Sequence, residues 1–259
     1  MAVGELIQRY RKARRISQLD LALEADVSTR HISFMETGRS APSREMLLKL
    51  AFSMDLSLRE ANLLLVAAGM QPQFGHTDLT EPGLALVKEA LEFVLESHEP
   101  YPAVVMDHNW NILMANRIHL HLIEMMVAVL GALPETTNIL ELLFDPKGFK
   151  FFVKNWDEVA CFLLRKRAKE ELLMSVSEEG SLLQRLLQYP GIPHGWKSDM
   201  TPSEELPMVP LHLEIGELNL TMFSTIATFG TPVDVTMQEL RLENYFPADD
   251  ESKAYFKSL

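Results

Sequence analysis

The sequence predicts two domains of different class: an all-α domain of five helices over residues 1–69, and, after a linker at 70–81, an α+β domain over 82–259 built on a five-stranded antiparallel sheet. Three observations carry this. Apolar residues recur at helical spacing as far as Gly69. Residues 70–79, MQPQFGHTDL, lose that period and are rich in turn formers. Beyond them, alternation with period two appears at 102–115 and again at 209–246, with helical segments between.

The N-terminal domain is organised around QLDLALEADVSTRHISFMET, residues 18 to 37, which reads as two short helices joined by a tight turn. In the first, Leu19, Ala22 and Leu23 share a face at i, i+3, i+4, and Ser17 with Asp20 forms a box-like start. Asp26 stands where a left-handed residue is needed, a position that aspartate tolerates at modest cost. Ser28 caps the second helix, whose Ile32 and Met35 turn inward. Thr29, Arg30, Ser33 and Phe34 are left outside. This is a helix-turn-helix with a polar outer face, although periodicity alone would also fit an ordinary polar-faced hairpin of helices. Thr37 to Pro42 is a loop by its Gly and Pro content, which frees Arg39 to meet a phosphate. Ser43 opens a fourth helix with Met46, Leu47, Leu50 and Ala51 inward. Ser57-Leu58-Arg59-Glu60 is a capping box for a fifth helix that Gly69 ends.

Charge separates the two halves. The chain carries -12 overall, yet residues 1–70 hold ten Lys/Arg against eight Asp/Glu, leaving 14 against 28 for the remainder. Two parts so different in charge are expected to have different partners. With 47% hydrophobic residues both halves can bury a core. No apolar run approaches the roughly 18 residues of a membrane span and no leader opens the chain, so a cytoplasmic protein without a membrane partner is expected.

In the second half, residues 82–98 form an amphipathic helix with Leu84, Val87, Leu91, Val94 and Leu95 along one stripe; it either packs on its own domain or serves as a dimer or coupling element. PAVVMD (102–107) and WNILMA (110–115) read as a hairpin about His108-Asn109. Helices follow near 117–130, 138–143, along NWDEVACFLLRKRAKEELL, and at 181–187. VPLHLEI (209–215) and LNLTMFSTIATF (218–229) are strands joined through Gly216-Glu217, and ELRLENYF (239–246) is the fifth. Two strands, a helical excursion and three antiparallel strands is the order of a PAS-type domain, a sheet cupping helices around a pocket.

Several groups suggest chemistry without completing it. His119 and His121 fall on different sides of a helix, and a single cysteine, Cys161, on an apolar helical stretch reads as packing, so no metal is expected. There is no phosphate loop and no nucleophile elbow, and Asp249-Asp250-Glu251 reads as a solvated terminus. No catalytic residue and no cofactor is nominated. Asn155-Trp156 is open between pocket floor and helix-start packing. Met106, Met114, Phe151, Phe152, Trp156, Phe162, Met222 and Phe223 lie on elements that should face one another, and six of them are nominated as ligand-binding: Met106, Met114, Phe152, Trp156, Met222 and Phe223. The alternative for any one of them is plain core. A small apolar or amphipathic ligand, with fatty acids leading, suits such a cavity.

Two resemblances rest on particular residues. Residues 4–57 resemble the Cro-type (XRE family) DNA-binding domain: Ser17-Gln18, Ala22, Val27-Ser28, Ile32, Glu36-x-Gly38-Arg39, Pro42 and Leu47-x-x-Leu50-Ala51 stand where that pattern places them, with Asp26 for the usual turn glycine and Phe34 for a usual polar residue. The resemblance implies an Arg11–Glu36 ion pair and nominates Gln18, Ser28, Thr29, Arg30 and Ser33 for the major groove and Arg39 for the backbone. Most of residues 82–259 resemble the MmyB-like ligand-binding domain, through Asn155-Trp156, Phe229-Gly230-Thr231-Pro232-x-Asp234, Glu243 and Phe246-Pro247-x-Asp249. Together they imply a one-component transcription regulator, expected as a homodimer on a pseudo-palindromic double-stranded operator. The alternatives are a ligand-independent regulator whose second domain serves dimerisation, and a small-molecule enzyme carrying a helix-turn-helix.

Overall fold

The computed structural model describes residues 1–174, 180–197 and 208–259. These form two compact units. The first gathers 1–78, 169–174 and 229–238, and the second gathers 79–168, 180–197, 208–228 and 239–259.

The first unit is a bundle of α1 (Val3–Ala13), α2 (Gln18–Glu24), α3 (Thr29–Glu36), α4 (Arg44–Ser53) and α5 (Leu58–Ala67). The hydroxyls of Ser17, Ser28, Ser43 and Ser57 accept from the backbone N–H groups of Asp20, His31, Met46 and Glu60, so four of the five helices start on a serine cap. The core is Ile7, Tyr10, Leu21, Ile32, Met35, Leu47, Leu50 and Leu64, all buried. Ala22 is buried as expected, but Leu19 and Leu23 are 57% and 71% exposed, and Leu21 and Ala25 join Ala22 in the core instead. In a helix of seven residues with apolar side chains at 19, 21, 22 and 23, spacing leaves the inward face open and only packing selects it. Asp26 has the expected left-handed backbone, φ 46°. Gly4 lets α1 approach α3 closely, because a Cβ there would lie 2.4 Å from the Met35 carbonyl oxygen. Residues 71–77 lie on this bundle: Asn62 donates to the Phe74 carbonyl and accepts from the Gln73 and Phe74 amides, and Arg44 donates to the Gln71 carbonyl.

After these helices the chain continues through α6 (Ala85–Ser97), β1 (Ala103–Met106), β2 (Ile112–Ala115), α7 (Arg117–Leu130), α8 (Ile139–Phe144), α9 (Trp156–Met174), α10 (Leu182–Leu186), β3 (Leu211–Ile215), β4 (Leu218–Ala227), α11 (Val235–Glu239), β5 (Arg241–Pro247) and α12 (Asp250–Lys257), all in the second unit except the end of α9 and nearly all of α11. The strands make one antiparallel sheet of order β2-β1-β5-β4-β3. The turn between β3 and β4 is Gly216-Glu217, with Gly216 at φ 62°. The connection from β1 to β2 is wider than expected. The Asp107 carboxylate accepts from the amides of Asn109 and Asn111, and Trp110 takes φ 69° with its indole buried, so neither Asp107 nor Trp110 stays in a strand.

Pairing fixes the two sides of the sheet. Met222 opposes Leu211, Leu220 opposes Leu213 and Ser224 opposes Tyr245, so these residues share one face. Ile118, Leu122 and Met126 of α7, Leu142 of α8 and Val159 of α9 pack in the same cluster as Leu213, Leu220 and Met222. The acidic run at 249–251, expected as a solvated terminus, starts α12 instead: Asp249 accepts from the Ser252 amide at 2.7 Å, and Phe256 one turn on is fully buried.

Residues 229–238 leave the sheet between β4 and β5 and belong to the first unit. Asp234 accepts from the Thr77 hydroxyl at 2.8 Å and caps α11 by accepting from the Thr236 amide at 2.8 Å. The Val235 amide donates to the Gly75 carbonyl, and the Gln238 side-chain oxygen accepts from the Leu58 amide at 2.6 Å. The Leu58 amide is one of the orphan donors of a helix start, so Gln238 completes the cap that Ser57 begins.

Candidate DNA-binding face and ligand cavity

The position of α3 is set by one ion pair. Arg11 Nε donates to Glu36 Oε1 at 2.6 Å and Arg11 Nη2 to Oε2 at 2.9 Å, with both residues buried, and Arg11 Nη1 also donates to the Ile16 carbonyl. Gln18 Nε2 donates to the same carboxylate at 2.8 Å. Burial pushes the Glu36 carboxyl up, but the hydrogen bonds from Arg11, Gln18 and Gln8 and the guanidinium charge outweigh it and leave it below the usual range. The start of α2, the C-terminal half of α1 and the last turn of α3 are thereby tied at one point.

The outer side of α3 is polar. Ser28 and Arg30 are exposed, Thr29 and Ser33 are half-buried, and Arg39 is exposed just beyond the helix. Phe34, half-buried between them, carries the Arg30 guanidinium 5.0 Å and the Arg39 guanidinium 5.8 Å from its ring centroid. A ring under two guanidinium groups restrains long side chains that otherwise lose much freedom on binding. The aromatic at this position therefore organises the cationic edge of the helix.

Between the inner face of the sheet and α7, α8 and α9 lie two adjacent spaces, a larger and a smaller lobe, that share part of their walls. The larger, about 420 Å³, is bounded by Trp110, Leu140, Phe162, Pro210, Ile226 and Glu243 among others. The smaller, about 80 Å³, is bounded by Leu122, Met126, Phe149, Leu213 and Met222 with His119. Ile139, Leu143, Leu211 and Tyr245 border both. The larger lobe has a polar wall on β5: Ser224 Oγ donates to Glu243 Oε1 at 2.6 Å, the Glu243 carboxyl also bonds Tyr245, and Lys166 lies at the same rim. Burial pushes the Glu243 carboxyl up, against the opposing pull of Ser224, Lys166, Tyr245 and Arg241. The volume is that of a small-molecule site, mostly apolar with a few convergent polar groups.

Residues 87–259 match the family model of the MmyB-like transcription regulator ligand binding domain. The chain belongs to this family. Residues 7–60 match a helix-turn-helix model, and no curated protein matches the chain. An MmyB-like regulator of this composition is a DNA-binding transcription regulator, in which α2 and α3 are the helix-turn-helix and the sheet unit is the ligand-binding domain. Among the described residues no three His, Cys, Asp or Glu side chains gather as a metal site requires, and no helix is long and apolar enough to cross a membrane.

Of the six apolar residues singled out in the sequence for a ligand, Met222 borders the smaller lobe and Phe223 the larger. The Phe223 ring stacks on Phe246 with centroids 5.4 Å apart. Met106 and Phe152 are fully buried in core clusters, and Met114 is half-buried on β2; none of the three borders either lobe. Trp156 also lies outside both: its indole N–H donates to the Gly191 carbonyl at 2.8 Å, and its ring packs edge-on against Phe144. Asn155 bonds the Pro210 carbonyl and the His212 amide, which ties the start of α9 to β3. Phe162 borders the larger lobe, whereas Phe151 is largely exposed. Trp110, His119, Glu243 and Tyr245 were not singled out as lining residues. Glu243 and Tyr245 stand two apart in ELRLENYF, the spacing of one strand face, which was the available signal. His119 carries no such signal, because only packing tells a helical histidine facing a cavity from one facing solvent.

Proposed function

We propose that residues 1–69 read a specific operator through Ser28, Thr29, Arg30 and Ser33 in the major groove, with Gln18 and Arg39 at the edge of that contact, and that residues 82–259 bind a small apolar or amphipathic ligand, a fatty acid or similar lipid, that biases operator binding. The observation that carries this reading is the pair of guanidinium groups held over Phe34 on the outer side of α3, in a chain whose other half encloses an apolar cavity. Arg30→Ala is expected to lose discrimination at one base position, about 1–3 kcal/mol, while Arg39→Ala weakens binding to all sequences alike. Selection from a random-sequence library decides it. Recovery of the wild-type motif by Arg30→Ala would remove Arg30 from base reading.

We further propose a homodimer on half-sites about ten base pairs apart. The supporting feature is α6. Leu84 just before it and its own Leu91 and Leu95 are buried, but Leu86 and Phe93 are 77% and 69% exposed and Val94 joins them on the uncovered side. Phe93→Glu is expected to shift sedimentation of the protein from dimer to monomer at micromolar concentration and to weaken operator binding. A dimer unchanged by Phe93→Glu would clear α6 of this role.

A further inference from the structure

The smaller lobe holds an unmatched polar atom. His119 is buried on α7, and its Nε2 has no hydrogen-bond partner. The lobe's other walls are aliphatic, thioether and aromatic, apart from Tyr245, which is bonded to Glu243 and whose ring centroid lies 6.3 Å from that of His119. A buried polar atom left unpaired is costly, and native structures pair nearly all of them. Water is a poor partner here, because a buried water needs two to four polar contacts and the wall of this lobe supplies one unpartnered nitrogen. A hydroxyl carried on an apolar chain needs only that one.

We propose that His119 Nε2 anchors the polar group of the ligand, and that this ligand is a long apolar chain bearing one uncharged hydrogen-bonding group, a hydroxyl or a protonated carboxylic acid. The inference rests on the reading of the cavity as a ligand site, and refines it. Burial alone drives the His119 imidazole down to about 4, so the ring is neutral at physiological pH and brings no charge to pair with an anion. A neutral imidazole both donates and accepts according to its tautomer, and a hydroxyl or an un-ionised acid satisfies either. The chain then extends from the smaller lobe past Ile139, Leu143 and Leu211 into the larger, the three apolar residues common to both.

The test uses the full chain with 1-dodecanol and, at pH 8, dodecanoate as probes, in wild type and His119→Phe. Dodecanol is expected to bind wild type roughly tenfold more tightly than the variant, since Phe keeps the aromatic volume and removes the nitrogen. Dodecanoate is expected to bind both alike. In case the variant folds poorly, long-range proton–nitrogen spectra of wild type give a second readout: the His119 Nε2 resonance should move when dodecanol is added. Equal dodecanol affinities, or an unmoved His119 resonance while the Met126 and Met222 methyl signals shift, would overturn the anchor but keep the cavity. A loss of dodecanoate binding in His119→Phe would overturn the uncharged head group. If no methyl signal in the cavity responds to either probe, the ligand site itself falls, and the anchor with it.

Discussion

Glu36→Ala is expected to destabilise the helix-turn-helix unit by about 3–5 kcal/mol, because it leaves the buried Arg11 guanidinium without its counter-charge. Hydrogen exchange at the buried Ile32 and Met35 positions of α3 reports on this unit separately from the sheet unit. Replacing both partners together, Arg11→Met with Glu36→Met, should recover most of the loss, since neither charge is then stranded. The pH dependence follows from the same carboxylate. Its folded value is depressed, so its stabilisation is complete above the ordinary glutamate range, roughly pH 4.3, and is lost as pH falls through the lower folded value. Glu36→Gln should flatten that acid limb and leave the neutral region offset downward. Unchanged exchange at Ile32 in Glu36→Ala would mean that the pair does not hold α3.

The second large effect concerns the cavity. Met222→Glu places a carboxylate on the inner face of β4, at a position 2% exposed and bordered by apolar side chains, where an unpaired charge costs several kcal/mol. Dodecanol binding should fall by at least roughly a hundredfold. Phe223→Glu acts on the neighbouring residue, which borders the larger lobe but is only half-buried and whose ring stacks on Phe246; it should cost about 0.5–1.5 kcal/mol of stability and weaken binding less than Met222→Glu, because its charge keeps partial access to water. Calorimetry with both variants checks the contrast. Equal losses would show that burial at Met222 does not set it apart from Phe223 in holding the ligand.

The sheet was legible because alternation and the Gly216-Glu217 turn are local signals, and the helix starts because serine caps are. What failed was also local. In α2 the choice between Leu19 with Leu23 and Leu21 with Ala25 is a shift of two residues, which a short helix leaves undetermined until α3 and α4 pack on it. Asp249 reads equally as a solvated acid or as a cap, and the buried Phe256 downstream decides it. The cavity was the least legible part. Its walls come from nine separate segments, so hydrophobicity marked Met106 and Phe152, which fill core, as readily as Met222, which borders empty space.

The excursion at residues 229–238 bears on how freely such a regulator can exchange parts. A chimaera that grafts residues 1–78 onto a foreign sensor takes the Thr77 hydroxyl and the Leu58 amide along and leaves Asp234 and Gln238 behind. The reader module so transplanted keeps the Ser57 cap and the Asn62 bonds but has the Leu58 amide and the Thr77 hydroxyl without these partners. Recombination at the apparent linker therefore starts from a handicap, and lineages that shuffle this reader should keep the Asp234 segment with it or evolve a substitute for each bond.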